Sequence, residues 1–286
     1  MPLKDHCQPR SSVFAQDRRV TVLNLDTFLK GQVNGKEFFE ENYFTQGMLT
    51  LVDRAFRHLS GKQAGSSIFQ LSQAMGGGKT HSMIALGLLA RDPELRKRVL
   101  TDKDPAPSMG KAQVVGFNGR QTDAMGGIWG SIADQLGKPE KFVDYTKQLK
   151  SPGPEAWRQL LSGNPIVIFL DELPPYLEHA AAVPVGSSDL AVVTTAALAN
   201  LFIAVADMDN VCVVLSDLAG TSYSVGQARL QGSFDRAAQG ITNEARRLAV
   251  PITPVNPNGD ELYHILRSRL FERIAPESHI KEVARA

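Results

Sequence analysis

Two apolar runs without polar alternation constrain the fold of this chain more than any other feature of its sequence. Residues 166–170 read Ile-Val-Ile-Phe-Leu, and residues 211–215 read Val-Cys-Val-Val-Leu. A strand at a sheet edge, or in a sheet with one face in solvent, shows polar residues at alternate positions. We therefore predict that both runs are central strands of a sheet that is covered on both faces.

Three further short runs and the helical patterns between them produce a regular alternation of strands and helices. The runs span 67–72, 112–117 and 248–255, and helices are predicted at 44–59, 79–90, 126–136, 189–206, 233–247 and 262–271. Alternation of this kind requires right-handed crossovers and a mostly parallel sheet. We expect an α/β fold in which helices cover both faces of five strands.

The composition restricts the classes of protein to which this chain can belong. The 286 residues include 43% hydrophobic side chains, enough for a sizeable core, and a formal charge of +1 provides no general basic field for nucleic acid or anionic lipid. Direct nucleic-acid contact is not supported, since the basic cluster 96–98 is interpreted as a solvated face and Trp129 and Trp157 as core.

Cys7 and Cys212 lack the spacing of a disulfide framework, and no apolar stretch is long enough to span a membrane. We expect a cytoplasmic protein.

The segment 73–80 carries the first motif with a chemical meaning. It lies between a predicted strand and a predicted helix, reads Gln-Ala-Met-Gly-Gly-Gly-Lys-Thr and resembles a Walker A phosphate loop. Consecutive glycines let backbone N–H groups turn toward phosphate oxygens, and the helix adds the positive end of its dipole. Lys79 is predicted to reach the β- and γ-phosphates of ATP, and the Thr80 hydroxyl to bind Mg²⁺. The predicted nucleotide contacts are Gln73, Ala74, Met75, Gly76, Gly77, Gly78, Lys79, Thr80 and His81.

One position departs from the pattern G-x-x-x-x-G-K-[ST], because Gln73 stands where the pattern has glycine. Glycine-rich turns with a Gly-Lys-Thr sequence also occur as plain structural turns, so the interpretation depends on a second motif.

That second motif is Asp171-Glu172, which follows the run 166–170 and resembles the end of a Walker B strand. A buried strand would carry Asp171 to the sheet edge beside the phosphate loop, where it could position Mg²⁺. Glu172 would polarise the attacking water as general base. The alternative is that two acids end a core strand and face solvent.

Several segments together are similar to one family of proteins. They read GGGKTH, VVGFNGR, GGIW, FLDEL and PITPV followed by ELYHILRSRLFERI, and they lie between residues 38 and 274. The family consists of large bacterial AAA+ ATPases that are often encoded beside DNA methyltransferases and other phage-defence genes. The resemblance implies a P-loop NTPase three-layer sandwich with strand order 5-1-4-3-2, and a role in DNA modification or phage defence.

The resemblance also implies roles for residues outside the two motifs. Ser216 or Asp217, after the run 211–215, would hydrogen-bond the attacking water or the γ-phosphate, although a hydroxyl satisfied by its own turn is an alternative. Arg246 or Arg247 would reach the γ-phosphate of a neighbouring subunit, as a guanidinium does in phosphoryl transfer. The alternative is that both arginines only stabilise the negative end of a helix dipole.

These observations lead to one expected function with two alternatives. We expect an N-terminal arm and flanking amphipathic helix at 1–60, a P-loop ATPase core at 61–255, and at 256–286 a helix that begins a lid whose remainder is missing. The expected activity is Mg²⁺-dependent ATP hydrolysis that drives conformational change, with a homo-oligomer and a DNA-modification or defence protein as partners. The alternatives are a nucleotide-gated scaffold with little turnover, which Gln73 and the missing lid favour, and a P-loop kinase.

Overall fold

The computed structural model describes most of the chain, namely residues 7–14, 23–61, 66–73, 77–121, 123–124, 126–216, 228–256 and 259–275. The helices in this part are α1 (Leu25–Leu29), α2 (Gly35–Glu41), α3 (Gln46–Leu59), α4 (Lys79–Arg91), α5 (Pro93–Leu100), α6 (Gly127–Gln135), α7 (Val143–Lys147), α8 (Pro154–Leu161), α9 (Leu173–Ala181), α10 (Leu190–Ala206), α11 (Ala228–Leu248) and α12 (Glu261–Leu270). The strands are β1 (Cys7–Pro9), β2 (Ile68–Leu71), β3 (Gln113–Asn118), β4 (Ile166–Asp171), β5 (Pro184–Val185), β6 (Ser188–Asp189), β7 (Val211–Ser216), β8 (Val250–Ile252) and β9 (Phe271–Ile274).

The central sheet is parallel and has the spatial order β3-β4-β7-β2-β8. Counted along the chain from the β8 edge, this order is 5-1-4-3-2, which confirms the predicted P-loop NTPase-like α/β fold. Every residue of β4 and β7 is buried, as their unbroken apolar runs predict. Because parallel strands share one carboxyl edge, the residues that follow β2, β3, β4 and β7 meet at that edge.

Helices cover both faces of the sheet and form two apolar clusters. Side chains of β4 alternate between them, with Ile166, Ile168 and Leu170 in one cluster and Val167 and Phe169 in the other. Helices α6, α8, α9, α10 and α11 build the first cluster, and α1 to α5 build the second. Trp129 and Trp157 are fully buried in the first cluster, which confirms their interpretation as core residues.

Some elements differ from the predicted pattern. The hydrophobic periodicity does not indicate α1, α2, α5, α7, α8 and α9, nor the short hairpin β5–β6. Strand β8 is shorter than the predicted run 248–255, which holds Pro251 and Pro254, and proline has no N–H for a strand ladder. In the described part of the chain, no helix has the length and apolar character needed to cross a membrane.

Helix α12 exposes most of its large apolar side chains to solvent. Leu262, Tyr263, Leu266 and Leu270 are all exposed. The helix is held by hydrogen bonds instead, since the Glu261 carboxylate accepts the N–H groups of Gln46 and Asn256, each at 2.6 Å.

The interpretation of the basic cluster 96–98 as a solvated face is wrong for Arg96, which is buried. Its side chain is 1% exposed, donates to the Asp104 carboxylate at 3.0 Å, and lies over the Phe56 ring at 5.0 Å from the ring centre. Its neighbour Lys97 is exposed, as predicted. Hydrophobic periodicity cannot reveal a buried arginine whose acidic partner lies in the following loop.

The buried ion pair predicts a large difference between two neighbouring substitutions. Arg96→Ala leaves the buried Asp104 carboxylate without its partner and should lower the free energy of unfolding by ~3–5 kcal/mol. Lys97→Ala on the exposed side of the same helix should change it by no more than ~0.5 kcal/mol. Urea denaturation at 25 °C measures both values, and equal values would contradict the structural role of Arg96.

Candidate functional site

The phosphate-loop segment leads from β2 into α4. Residues 74–76 of the predicted loop, Ala74, Met75 and Gly76, lie outside the described residues, whereas Gln73 and Gly77 to Thr80 are described. Gly78 has φ = +83°, a left-handed conformation that favours glycine, and it precedes the first residue of α4. The Lys79 ammonium donates to the Gln73 carbonyl at 2.5 Å. The lysine therefore folds back over the loop that it follows.

The side chain of Gln73 has a defined structural role at the position where the consensus has glycine. Its Nε2 donates to the Val255 carbonyl, and its Oε1 accepts the Val255 N–H, both at 2.9 Å. Glycine could make neither bond. The departure from the motif thus ties the phosphate-loop segment to the chain that follows β8.

Thr80 and Asp171 lie in direct contact. The Thr80 hydroxyl donates to Oδ2 of Asp171 at 2.7 Å. Asp171 is the last residue of β4 and only 3% exposed. Burial raises the pKa of this carboxyl, while hydrogen bonds from the Thr80 and Ser216 hydroxyls and the Glu172 N–H act in the opposite direction. A hydroxyl and a carboxylate are oxygen donors of the kind that Mg²⁺ prefers, so the donor set fits this ion.

Glu172 and Ser216 lie at the same edge of the sheet. The Glu172 N–H donates to the Ser216 hydroxyl oxygen and to Oδ1 of Asp171, both at 3.1 Å. Glu172 has φ = +49° and ψ = +42°, which is unusual for a residue with a side chain, and residues in such conformations concentrate at functional sites. Asp217, the other predicted sensor residue, lies outside the described residues.

Arg120 is a site residue that the sequence interpretation missed. Its guanidinium donates to both carboxylate oxygens of Glu172, Nη2 to Oε1 at 3.1 Å and Nε to Oε2. The preceding Gly119 donates its N–H to the Asp171 carbonyl at 2.8 Å, and a Cβ at this position would lie 2.0 Å from the Glu172 carbonyl oxygen. The predicted strand order indicates this contact. It puts the second and third strands, β3 and β4, side by side, and Arg120 and Glu172 follow their carboxyl ends.

His81 connects the first turn of α4 to α12. Its Nε2 lies 2.7 Å from Nη2 of Arg269, which also donates to Asn42 at 3.1 Å. Burial, with a smaller effect of the Arg269 charge, lowers the pKa of His81 to about 4. The ring is therefore neutral near pH 7 and accepts the arginine N–H.

The structure does not bring Arg246 and Arg247 together with the residues above. Both are exposed in the last turn of α11, and Arg247 donates to Glu244 at 2.7 Å. Helix α11 leads into the amino end of β8, whereas the phosphate-loop segment follows the carboxyl end of β2. The two arginines and Thr80 therefore lie toward opposite edges of the parallel sheet.

A cavity of about 400 Å³ lies between the first turns of α3 and the end of β8. Asn256 lines this cavity, and its neighbour Val255 hydrogen-bonds Gln73, so the cavity lies close to the phosphate-loop segment. The lining residues are Gln46, Gly47, Thr50, Arg54, Pro251, Ile252, Thr253 and Asn256. Among the described residues, no group of three or more His, Cys, Asp or Glu side chains could hold a metal ion.

Comparisons with known proteins identify one family. A protein-family model described as the DUF499 N-terminal domain matches residues 29–107 and 116–250, well over half of the chain. A search of curated proteins found no match. A solved structure of C. elegans PCH-2 matches with 15% sequence identity and a TM-score of 0.30, over 83% of this chain and 45% of the PCH-2 chain. This chain thus spans less than half of the length of the PCH-2 chain.

The burial of Asp171 predicts a stabilising substitution. Its pKa in the folded protein is raised above the unfolded value of about 3.9, so stability is complete at lower pH and declines as pH rises through the folded pKa. Asp171→Asn removes the buried charge. At pH 7 without divalent metal it should raise the unfolding temperature by ~2–4 °C, with the gain shrinking toward pH 3.

The control is Asp102→Asn, because Asp102 is exposed. Calorimetry of the three proteins between pH 3 and pH 7 measures the effect. An Asp171→Asn protein that is no more stable than wild type at pH 7 would show that burial of the charge has no net cost.

Proposed function

The chain belongs to the DUF499 family, and we propose that it binds ATP with Mg²⁺ at the carboxyl ends of β2 and β4 and hydrolyses the nucleotide. The observation that carries this proposal is the 2.7 Å hydrogen bond between Thr80 and Asp171. It joins a hydroxyl at the start of α4 to a carboxylate at the end of β4, and P-loop ATPases use this pair of oxygens around Mg²⁺.

Each residue at this edge has a role in the proposal. The phosphates would lie at the amino end of α4, and Lys79 would exchange the Gln73 carbonyl for β- and γ-phosphate oxygens. Thr80 would bind Mg²⁺ directly and Asp171 through its water shell, and the ion would neutralise charge on the phosphate oxygens. The cavity beside Val255 has a size that admits a base and ribose.

Glu172 and Ser216 would act on the attacking water. In hydrolysis the water oxygen forms a bond to the γ-phosphorus, the bond from that phosphorus to the β–γ bridging oxygen breaks, and a water proton passes to the Glu172 carboxylate. The Ser216 hydroxyl, which accepts the Glu172 N–H, would help to orient this water. ADP and inorganic phosphate are the products.

A nucleotide-gated scaffold with little turnover is the second candidate function. The observation that favours it is the ion pair of Glu172 with Arg120, which engages both oxygens of the proposed base. In either case the sequence resemblance supports a role in a larger assembly linked to DNA modification or phage defence, and that role is part of the proposal.

Two substitutions distinguish binding from turnover. Lys79→Ala should weaken ATP binding in the presence of Mg²⁺ by ~10- to 100-fold, since it removes charged hydrogen bonds to phosphate. Glu172→Gln should keep ATP affinity within about threefold and lower turnover by ~10²–10⁴-fold, the usual contribution of a general base. The control is Lys97→Ala, which removes an exposed lysine on α5.

Calorimetric titration measures the affinities, and phosphate release without an added acceptor measures the turnover. Equal ATP affinity in Lys79→Ala and wild type would overturn the assignment of the nucleotide site. Normal binding with negligible hydrolysis in both wild type and Glu172→Gln would support the scaffold. ADP formation that requires an added acceptor and releases no inorganic phosphate would favour a kinase, because the acceptor then keeps the phosphoryl group.

The two arginines at the end of α11 lead to a prediction about assembly. Because they lie toward the opposite edge of the sheet from Thr80, Arg246 or Arg247 could serve the site only from a neighbouring subunit. Specific activity should then rise with protein concentration, and Arg246→Ala or Arg247→Ala should remove that rise. Activity that is independent of concentration, in a protein that light scattering shows to be monomeric with ATP and Mg²⁺, would contradict this role.

A further inference from the structure

The Asp26 carboxylate on α1 binds the loop that carries Arg120. The Asn118 amide donates to Oδ2 of Asp26 at 2.7 Å, and the Gln121 amide donates to Oδ1 at 2.6 Å. One carboxylate from the amino-terminal part of the chain therefore holds the loop on both sides of Arg120. The sequence alone does not indicate this contact between Asp26 and the amide side chains of Asn118 and Gln121.

Contacts within the loop fix Arg120 between these two attachment points. The Arg120 N–H donates to Oδ1 of Asn118 at 3.1 Å, and the Gln121 N–H donates to the Asn118 carbonyl at 2.9 Å. Gly119 passes so close to the Glu172 carbonyl that a Cβ would not fit between them. A shift of the loop would therefore change the contact between Arg120 and Glu172.

Helix α1 provides a rigid attachment for Asp26. Leu25 and Phe28, on either side of it, are each 1% exposed, and the Phe28 ring lies 6.2 Å from the Phe169 ring on β4. Asn24 caps the helix by accepting the Thr27 N–H at 2.8 Å. Helix α1 packs against β4, the strand that ends in Asp171. Asp26 therefore has a fixed position relative to the site.

We propose that Asp26 is a positioning residue that holds Arg120 on Glu172 and so keeps the proposed base in a resting state. The inference rests on the proposed function, because it concerns the same carboxylate. A carboxylate that accepts N–H groups from a guanidinium at both oxygens has less capacity to accept a proton from water. Loosening the loop at Asp26 therefore increases the fraction of molecules in which Glu172 meets the attacking water.

The test is a double-mutant cycle in the full chain with Asp26→Asn and Arg120→Ala. The nearly isosteric amide in Asp26→Asn presents an N–H₂ group to one of the two amide donors and breaks that bond. We expect Asp26→Asn to raise kcat by about threefold to tenfold, the scale of one hydrogen bond of ordinary net strength, with KM for ATP unchanged. In the Arg120→Ala background, whose kcat is already raised, the same substitution should have no further effect.

Asp53→Asn is the matched control, because Asp53 pairs with Arg57 on the exposed side of α3 and should leave kcat unchanged. An unchanged or lower kcat in Asp26→Asn, or an equal change in both backgrounds, would overturn the inference. If wild type itself binds ATP without hydrolysing it, the proposed enzymatic function fails, and a second measurement then decides the positioning role.

That second measurement is hydrogen exchange at the Gly119 and Arg120 amides, which needs no turnover. The Gly119 amide donates to the Asp171 carbonyl at the end of β4, and the Arg120 amide donates to Oδ1 of Asn118. Asp26→Asn should accelerate their exchange while leaving the amides of β4 protected to the wild-type level. Unchanged protection of the loop would overturn the role of Asp26 whether or not the protein hydrolyses ATP.

Discussion

The desolvated carboxylate of Asp171 is the constraint on which the site depends. It lies at the end of a fully buried strand, and its 2.7 Å hydrogen bond to Thr80 joins residues that are 91 positions apart. A charged group in this place is stable only where hydroxyl and N–H groups, or a cation, offset the lost hydration. The hydroxyls of Thr80 and Ser216 and the Glu172 N–H offset part of this lost hydration, and a divalent ion at this edge would offset the remainder.

Segments from both ends of the chain complete this edge. Asp26 holds the loop that contacts Glu172, and Arg269 on α12 contacts His81 in the first turn of α4. Gln73 connects the phosphate-loop segment to Val255 after β8. Elements outside the two sequence motifs therefore hydrogen-bond to the loop that contacts Glu172 and to residues on both sides of the phosphate loop.

The unbroken apolar runs predict that β4 and β7 are central strands. The order of all five strands is implied by the family resemblance, which the motifs at 73–80 and 171–172 help to carry. The contacts of Asp26 and Arg269 could not be predicted in this way, since each is a polar pairing of loop or helix surfaces between residues 92 and 188 positions apart, respectively. The exposed leucines of α12 show a second kind of failure. An apolar periodicity predicts a helix with an apolar face, but it does not indicate which surface will cover that face.

A crystal structure with Mg²⁺ and a non-hydrolysable ATP analogue tests the central claim most directly. The account predicts phosphates at the amino end of α4, with the Lys79 ammonium moved from the Gln73 carbonyl to phosphate oxygens. It also predicts Mg²⁺ on the Thr80 hydroxyl, in place of that hydroxyl's hydrogen bond to Asp171. A nucleotide bound elsewhere, or a complex in which the Thr80–Asp171 and Lys79–Gln73 contacts persist unchanged, would contradict it.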